Sequence, residues 1–306
     1  MEMMDQGDRV ALAGASGMLG SALAGRLRSL HVSIVQLVRR DPTGAGEVQW
    51  NPKLADPLPD VTSLEGLRAV VSFSGANLAA QRWTAAYRDE MTQSRVGSTA
   101  ALARILVKLK TPPEVWISAS AIGFYGDRGE EFLDEHAPAG KGFLADLCQQ
   151  WEAATRPAEE AGIRVVHLRM GVVLGPREGA LGKMLPLFRL GLGGRLGSGR
   201  QWMSWIGLED SIEAIRFVIE NPELRGAVNV TAPGPVTNAE FTRVLAAHLK
   251  RPALAPVPAI ALKLGLGKMA EETLLASARV FPGKLTASGY SFRHPQLKDA
   301  LPAVLR

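Results

Sequence analysis

A chain of 306 residues is long enough for one large α/β domain with a smaller appendage, or for two modest domains. Its 35 basic and 30 acidic residues leave a dispersed net charge of +5, and no Lys/Arg run exceeds two residues, which argues against a nucleic-acid partner. The single cysteine, Cys148, excludes an intrachain disulfide and fits a reducing cytoplasm, and no apolar run approaches the ~18 residues of a membrane span.

The N-terminal residues, Met1 to Asp8, have neither a basic nor an apolar region and do not read as a secretion signal. The first apolar run, Val10-Ala-Leu-Ala13, leads directly into Gly14, Gly17 and Gly20. Leu19, Leu23 and Leu27 then recur on one helical face. Strand, tight turn and helix follow from this pattern. In such a turn one glycine allows the bend, one lets a pyrophosphate approach bare backbone, and one lets the helix pack close to the strand. The helix N-terminus adds unpaired N–H groups and partial positive charge. A dinucleotide site is therefore expected at Gly14, Ser16, Gly17, Met18, Leu19 and Gly20.

Val32 to Val38 reads as a second strand and ends in Arg39-Arg40. At this distance from the glycines, a free ribose 2′-hydroxyl usually meets an Asp or Glu. Two guanidiniums favour a 2′-phosphate instead, so NADP(H) is preferred, and Asp41 keeps NAD(H) open. Residues 41–65 read as loop with one short strand at Val48–Trp50. Leu67 to Phe73 is a strand whose exit, Ser74-Gly75-Ala76, would pass over the cofactor. A helical region from Thr84 to Lys110 ends at Pro112-Pro113.

The next strand, Glu114 to Ser118, exits through Ala119-Ser120-Ala-Ile-Gly-Phe-Tyr125. A hydroxyl-rich turn at the carboxyl end of a parallel strand is where such folds keep their chemistry. A helix from Phe143 to Ala161 buries Cys148 as packing, and Ile163 to Leu168 is a further strand. This alternation predicts a parallel sheet with helices on both faces. Residues 177–204 are glycine-rich and read as an ordered loop-helix-loop over the crevice, with Lys183 and Arg200 on it and Asp210 at its base. A helix over Glu209–Glu220 starts beside Asp210 as a capping carboxylate. Gly226–Val230 is a strand, Thr237 with Glu240 starts a helix to Lys250, and 259–279 is mostly helical. The tail from Gly289 to Leu301 reads as a closing strand and turn. Residues 1–176, rejoined by 205–235, would form the dinucleotide-binding domain, and 177–204 with 236–306 a smaller lid, substrate and C-terminal part.

These blocks together resemble the extended short-chain dehydrogenase/reductase superfamily, in its atypical group of NAD-dependent epimerase/dehydratase-like oxidoreductases with a C-terminal domain of unknown function. The likeness is carried by Gly14–Gly20, Ser118–Gly126, Arg169–Gly175, Gly182–Gly194, Gly197–Ile206 and the tail from Arg251. It implies a Rossmann-like doubly wound parallel sheet. It also implies cofactor positions at the glycine turn and at Ala119, and places Ser120 at the superfamily's catalytic Ser/Thr position.

The chain departs from that pattern at two points. The superfamily's Tyr-x-x-x-Lys pair is absent, since none of Tyr87, Tyr125 and Tyr290 has a Lys four residues later. The family's His after Trp-Ile is Gly207 here. Ser120 and Tyr125 are thus the candidate catalytic residues, with no metal site. The expected function is an NADP(H)-dependent oxidoreductase or epimerase-like activity on a small substrate, in a cytoplasmic monomer or homodimer without a nucleic-acid or membrane partner. A nucleotide-binding regulatory protein without turnover is the alternative, and a conventional nucleotide-sugar epimerase stands third.

Overall fold

The seven strands expected between Val10 and Val230 all join one sheet. The computed structural model describes residues 3–54, 58 and 60–306; residues 55–57 and 59 of the expected loop, and the first two of the N-terminal reading, lie outside the described residues. The strands of this sheet are β1 (Arg9–Ala13), β2 (Ser33–Val38), β3 (Glu47–Gln49), β4 (Ala69–Ser72), β5 (Val115–Ala121), β6 (Arg164–Met170) and β7 (Gly226–Val230). They lie in the spatial order β3-β2-β1-β4-β5-β6-β7, and all neighbours are parallel. This is a Rossmann-like α/β sheet.

The helices are α1 (Met18–Ser29), α2 (Ala85–Thr92), α3 (Ser98–Leu106), α4 (Phe143–Ala153), α5 (Arg156–Glu160), α6 (Gly179–Arg189), α7 (Leu208–Glu220), α8 (Asn238–Leu249), α9 (Ala259–Leu266), α10 (Gly283–Ala287) and α11 (Leu297–Val304). Alternate residues of a strand serve opposite layers. Val10 and Leu12 of β1 join the core formed with Leu23 and Leu27 of α1 and Ile215 and Val218 of α7. Ala11 and Ala13 join Leu102 and Leu106 of α3 on the other face. A third core holds Leu181, Leu185 and Phe188 of α6 against Phe241 and Leu245 of α8 and Leu297 and Leu301 of α11. Burying each such side chain contributes roughly 1.5–3 kcal/mol.

The expected helix at 84–110 is α2 and α3 joined by a π-turn over Gln93–Gly97. Thr84 caps it by accepting from Tyr87 N at 3.2 Å. The helix expected over 143–161 breaks after Ala153. Pro157 has no N–H to give to the Ala153 carbonyl, so the chain restarts as α5. The tail is not a closing strand. The backbone N–H groups of Arg293 and His294 donate to the Asp210 carboxylate at 2.8 and 2.9 Å instead of to a sheet partner, and Leu297–Val304 then folds as α11. Asp210 therefore ties down the tail and makes no cap for α7. Thr237 does cap α8, accepting from Glu240 N at 3.2 Å.

Candidate functional site

The strand order reverses at β1, with β2 and β3 on one side and β4 to β7 on the other. A crevice opens above the carboxyl ends of β1 and β4 at such a switch point. Around it come the exits of β2 (Arg39, Arg40), β1 (Gly14 to Gly20), β4 (Ser74 to Ala76) and β5 (Ala119, Ser120). The residues expected in the cofactor site thus converge from sequence positions 14 to 119.

The three glycines have three different constraints. Gly14 has φ +84° and lies against Phe73, so it makes the bend. At Gly20 an added Cβ would fall 2.2 Å from the Gly14 carbonyl oxygen, so it lets α1 sit on the turn. At Gly17 an added Cβ would meet nothing closer than 3.7 Å, so no protein atom demands glycine there. Gly17 is also the N-cap of α1, with no side-chain cap and no acidic residue in the first turn. A bare, uncapped helix N-terminus beside a glycine that packing does not need has the donors and the room to take a phosphate. Met18 closes the far wall, its Sδ pressed against Gly175.

The two arginines after β2 are not equivalent. Arg40 donates to Glu47 Oε2 at 2.9 Å and to Thr43 Oγ1 at 3.0 Å. Its guanidinium, with the Thr43 amide, holds the Glu47 carboxyl down to about 2. Arg39 is exposed and has no hydrogen bond or ion pair with any described residue. Asp41 accepts from Gln49 Nε2 at 3.0 Å.

Arg95, which sequence reasoning missed, supports the loop after β4. It is buried on the π-turn, and an added Cβ on Gly75 would lie 2.9 Å from its guanidinium carbon. It donates to the carbonyls of Ala76 at 2.9 Å and Met91 at 3.3 Å, while Ser94 Oγ accepts from Ala76 N at 2.9 Å. Burial lowers its pKa, and no carboxylate is ion-paired with it among the described residues.

Ser120 and Tyr125 belong to one buried polar network. Ser120 Oγ donates to Glu152 Oε1 at 2.7 Å. Arg169 grips the same carboxylate with Nε and Nη2, each at 2.9 Å. Its other nitrogen donates to Tyr125 Oη at 3.1 Å, and Tyr125 donates on to Asn229 Oδ1 at 2.7 Å. The Arg169 guanidinium also stacks 3.4 Å from the Phe124 ring centre. Tyr125 is fully buried, and burial raises its pKa, which Arg169 and Asn229 offset only in part. Its hydroxyl is engaged on both sides and does not stand open to the crevice. Cys148 is buried near Ala121, and burial, with the Glu152 charge, pushes its thiol up to about 11.

Glu152, Arg169 and Asn229 were not read as site residues from sequence. One signal was available: Arg169 sets a charge near the carboxyl end of a parallel strand, where side chains are seldom charged when buried. Lys183 on α6 reaches the carbonyl of Ala79 at 3.1 Å, linking α6 to the loop after β4. Arg200 is exposed, and Asp210 serves the tail rather than the crevice.

The family model described as the NAD dependent epimerase/dehydratase family matches residues 10–231, and a domain of unknown function (DUF1731) matches residues 257–304. An epimerase family protein of Mycobacterium bovis is 44% identical over 292 residues, covering 95% of this chain and 96% of that one. The crystal structure of human epimerase family protein SDR39U1 (isoform 2) with NADPH superposes with a TM-score of 0.89 at 33% identity, covering 97% of this chain and 99% of that one. A nucleoside-diphosphate sugar epimerase structure from Corynebacterium glutamicum has a TM-score of 0.80 at 33% identity, covering 99% of this chain and 59% of that one. With the family model spanning the whole sheet and its crevice, the chain belongs to the NAD dependent epimerase/dehydratase family.

Proposed function

We propose that this protein is an NADP(H)-dependent oxidoreductase or epimerase-like enzyme acting on a small substrate. The observation that carries the reading is Gly17, whose missing side chain serves no protein contact, at the uncapped start of α1. The human relative solved with NADPH supports it. Gly14, Ser16, Gly17, Met18, Leu19 and Gly20 would hold the pyrophosphate. Arg39 is free to meet a 2′-phosphate, while Arg40 braces the loop through Glu47. Ser74, Gly75, Ala76 and Ala119 would form the facing wall. When bound, the nicotinamide supplies hydride donation or acceptance. Ser120 would hold a substrate oxygen, and Tyr125 would hold Arg169, and through it Glu152, in place behind Ser120. We further propose the two-part division, with 177–204 and 236–306 as the substrate side, in a cytoplasmic monomer or homodimer.

A second reading is a nucleotide-binding regulator without turnover. The closed state of the Tyr125 hydroxyl favours it, because no other tyrosine approaches Ser120 in this network. Two measurements decide. Thermal stabilisation by NADPH against NADH tests the cofactor; a ligand at 100 times its Kd adds about 2.7 kcal/mol. NADPH consumption across a panel of aldehydes, ketones and nucleotide sugars tests turnover, with Ser120→Ala expected to abolish it while keeping the thermal shift. No thermal response to either coenzyme overturns the proposal.

A further inference from the structure

Two neighbouring segments gather most of the exposed apolar bulk among the described residues. Of eleven exposed large apolar side chains among the described residues, six fall in two short segments: Leu187, Leu190, Leu192, Leu254, Ile260 and Leu264. Leu254 is 86% exposed, Leu264 74%, Leu190 72% and Ile260 70%. The segments are neighbours. Val257 N donates to the Arg195 carbonyl at 2.9 Å, Gly197 N donates to the Val257 carbonyl at 2.8 Å, and Gly191 lies against Pro252. On α9 no residue is fully buried. Ala259, Leu262 and Leu266 form its half-buried side, while Ile260 and Leu264, one turn apart, point outward.

The formal charge carried by the two segments and their flanks has one sign. Residues 179–204 and 250–268 contain eight Lys or Arg and no Asp or Glu. Lys263 and Lys268 share Glu271, which lies outside the two segments, at 3.6 and 2.8 Å. Arg189, Arg195, Arg200, Lys250 and Arg251 are exposed and have no carboxylate partner among the described residues. A second copy docking through the same face would set cations against cations. An anionic bilayer satisfies both halves of the pattern, with its acyl boundary taking Leu and Ile and its headgroups taking Lys and Arg. No helix among the described residues is long and apolar enough to cross a membrane, and eight-residue α9 would lie in the interface.

We propose that the face formed by residues 187–192 and 254–264 docks the protein on an anionic lipid surface. The expectation of no membrane partner rested on the lack of a span, and lying on a surface needs none. The inference does not depend on the cofactor reading.

The test is co-sedimentation of the full chain with phosphatidylcholine vesicles, with and without phosphatidylglycerol, at low and high salt. Binding is expected only to the anionic vesicles, weakening with salt. The double variants Ile260→Ser/Leu264→Ser and Arg189→Ser/Arg251→Ser should each weaken it by roughly tenfold or more. All four side chains are exposed, so unfolding midpoints, measured alongside, should match the parent. No binding to anionic vesicles overturns the proposal. So does binding that ignores the apolar variant, which would be diffuse charge attraction alone. A dimer in light scattering that Ile260→Ser/Leu264→Ser dissolves would also overturn it, assigning the face to a second copy.

Discussion

Ser120 and Arg169 stand opposite each other in register on β5 and β6, and both close on the carboxylate of Glu152. Two strands and α4 are thereby locked at the floor of the crevice. Glu152→Gln removes the charge that Arg169 faces while keeping the volume. Breaking a buried ion pair from one side destabilises by about 3–5 kcal/mol, because the other charge stays buried. A loss of about 3 kcal/mol or more is expected in urea unfolding. Adding Arg169→Met to Glu152→Gln should recover part of it, and additive losses would show the pair to be uncoupled.

The glycine turn separates folding from binding. Gly17→Ala should change stability by about 1 kcal/mol or less, since its Cβ has room and only the helix cap is altered. The same variant should lose most of its thermal response to NADPH. Gly20→Ala forces a Cβ onto the Gly14 carbonyl, so it should lower the melting temperature in the absence of any ligand. If Gly17→Ala keeps the full NADPH response, the cradle assignment fails.

Much of this arrangement was legible because it is local. Glycine spacing and short continuous apolar runs report the backbone directly, so β1, the turn and α1 fall where the sequence puts them. Ser120 was legible as a hydroxyl at a strand exit. Its partner Glu152 lies 32 residues on in α4, and Arg169 lies 17 residues beyond Glu152. No short-range pattern links a helix carboxylate to a strand guanidinium; only the β5–β6 register brings them together. Arg95 was hidden for a similar reason, since its target is the carbonyl of Ala76, 19 residues earlier. The tail was misread because Tyr290, Phe292 and their neighbours alternate like a strand, whereas the Asp210 carboxylate takes the amides a strand would have used.

Arg39 and Arg40 should part company in cofactor preference. Arg39 has no partner among the described residues, whereas Arg40 is committed to Glu47. A charge-assisted hydrogen bond is worth about 1.5–3 kcal/mol, so Arg39→Ala should weaken NADPH binding by about tenfold to a hundredfold. NADH, lacking the 2′-phosphate, should bind Arg39→Ala as it binds the parent. Arg40→Ala should leave the ratio of the two affinities nearly unchanged. Isothermal titration of both variants with both coenzymes is the measurement, and an unchanged preference in Arg39→Ala rules the 2′-phosphate contact out.

His167 should make the fold sensitive to mild acid. Its Nε2 lies 2.8 Å from the buried Thr155 hydroxyl, and burial lowers its pKa below the ordinary 6.5, with the Glu152 and Glu159 charges opposing the shift. Between those two values the unfolded chain holds a proton that the folded chain does not, so stability rises with pH across the window. It is full above about pH 6.5, falls as the pH drops below that value, and levels off once the folded ring protonates. Glu47, held down to about 2, titrates well below this range. His167→Gln keeps a donor for Thr155 and cannot titrate. Urea midpoints between about pH 7.5 and 5 should therefore decline more steeply for the parent than for His167→Gln. Parallel declines would place the acid sensitivity elsewhere in the fold.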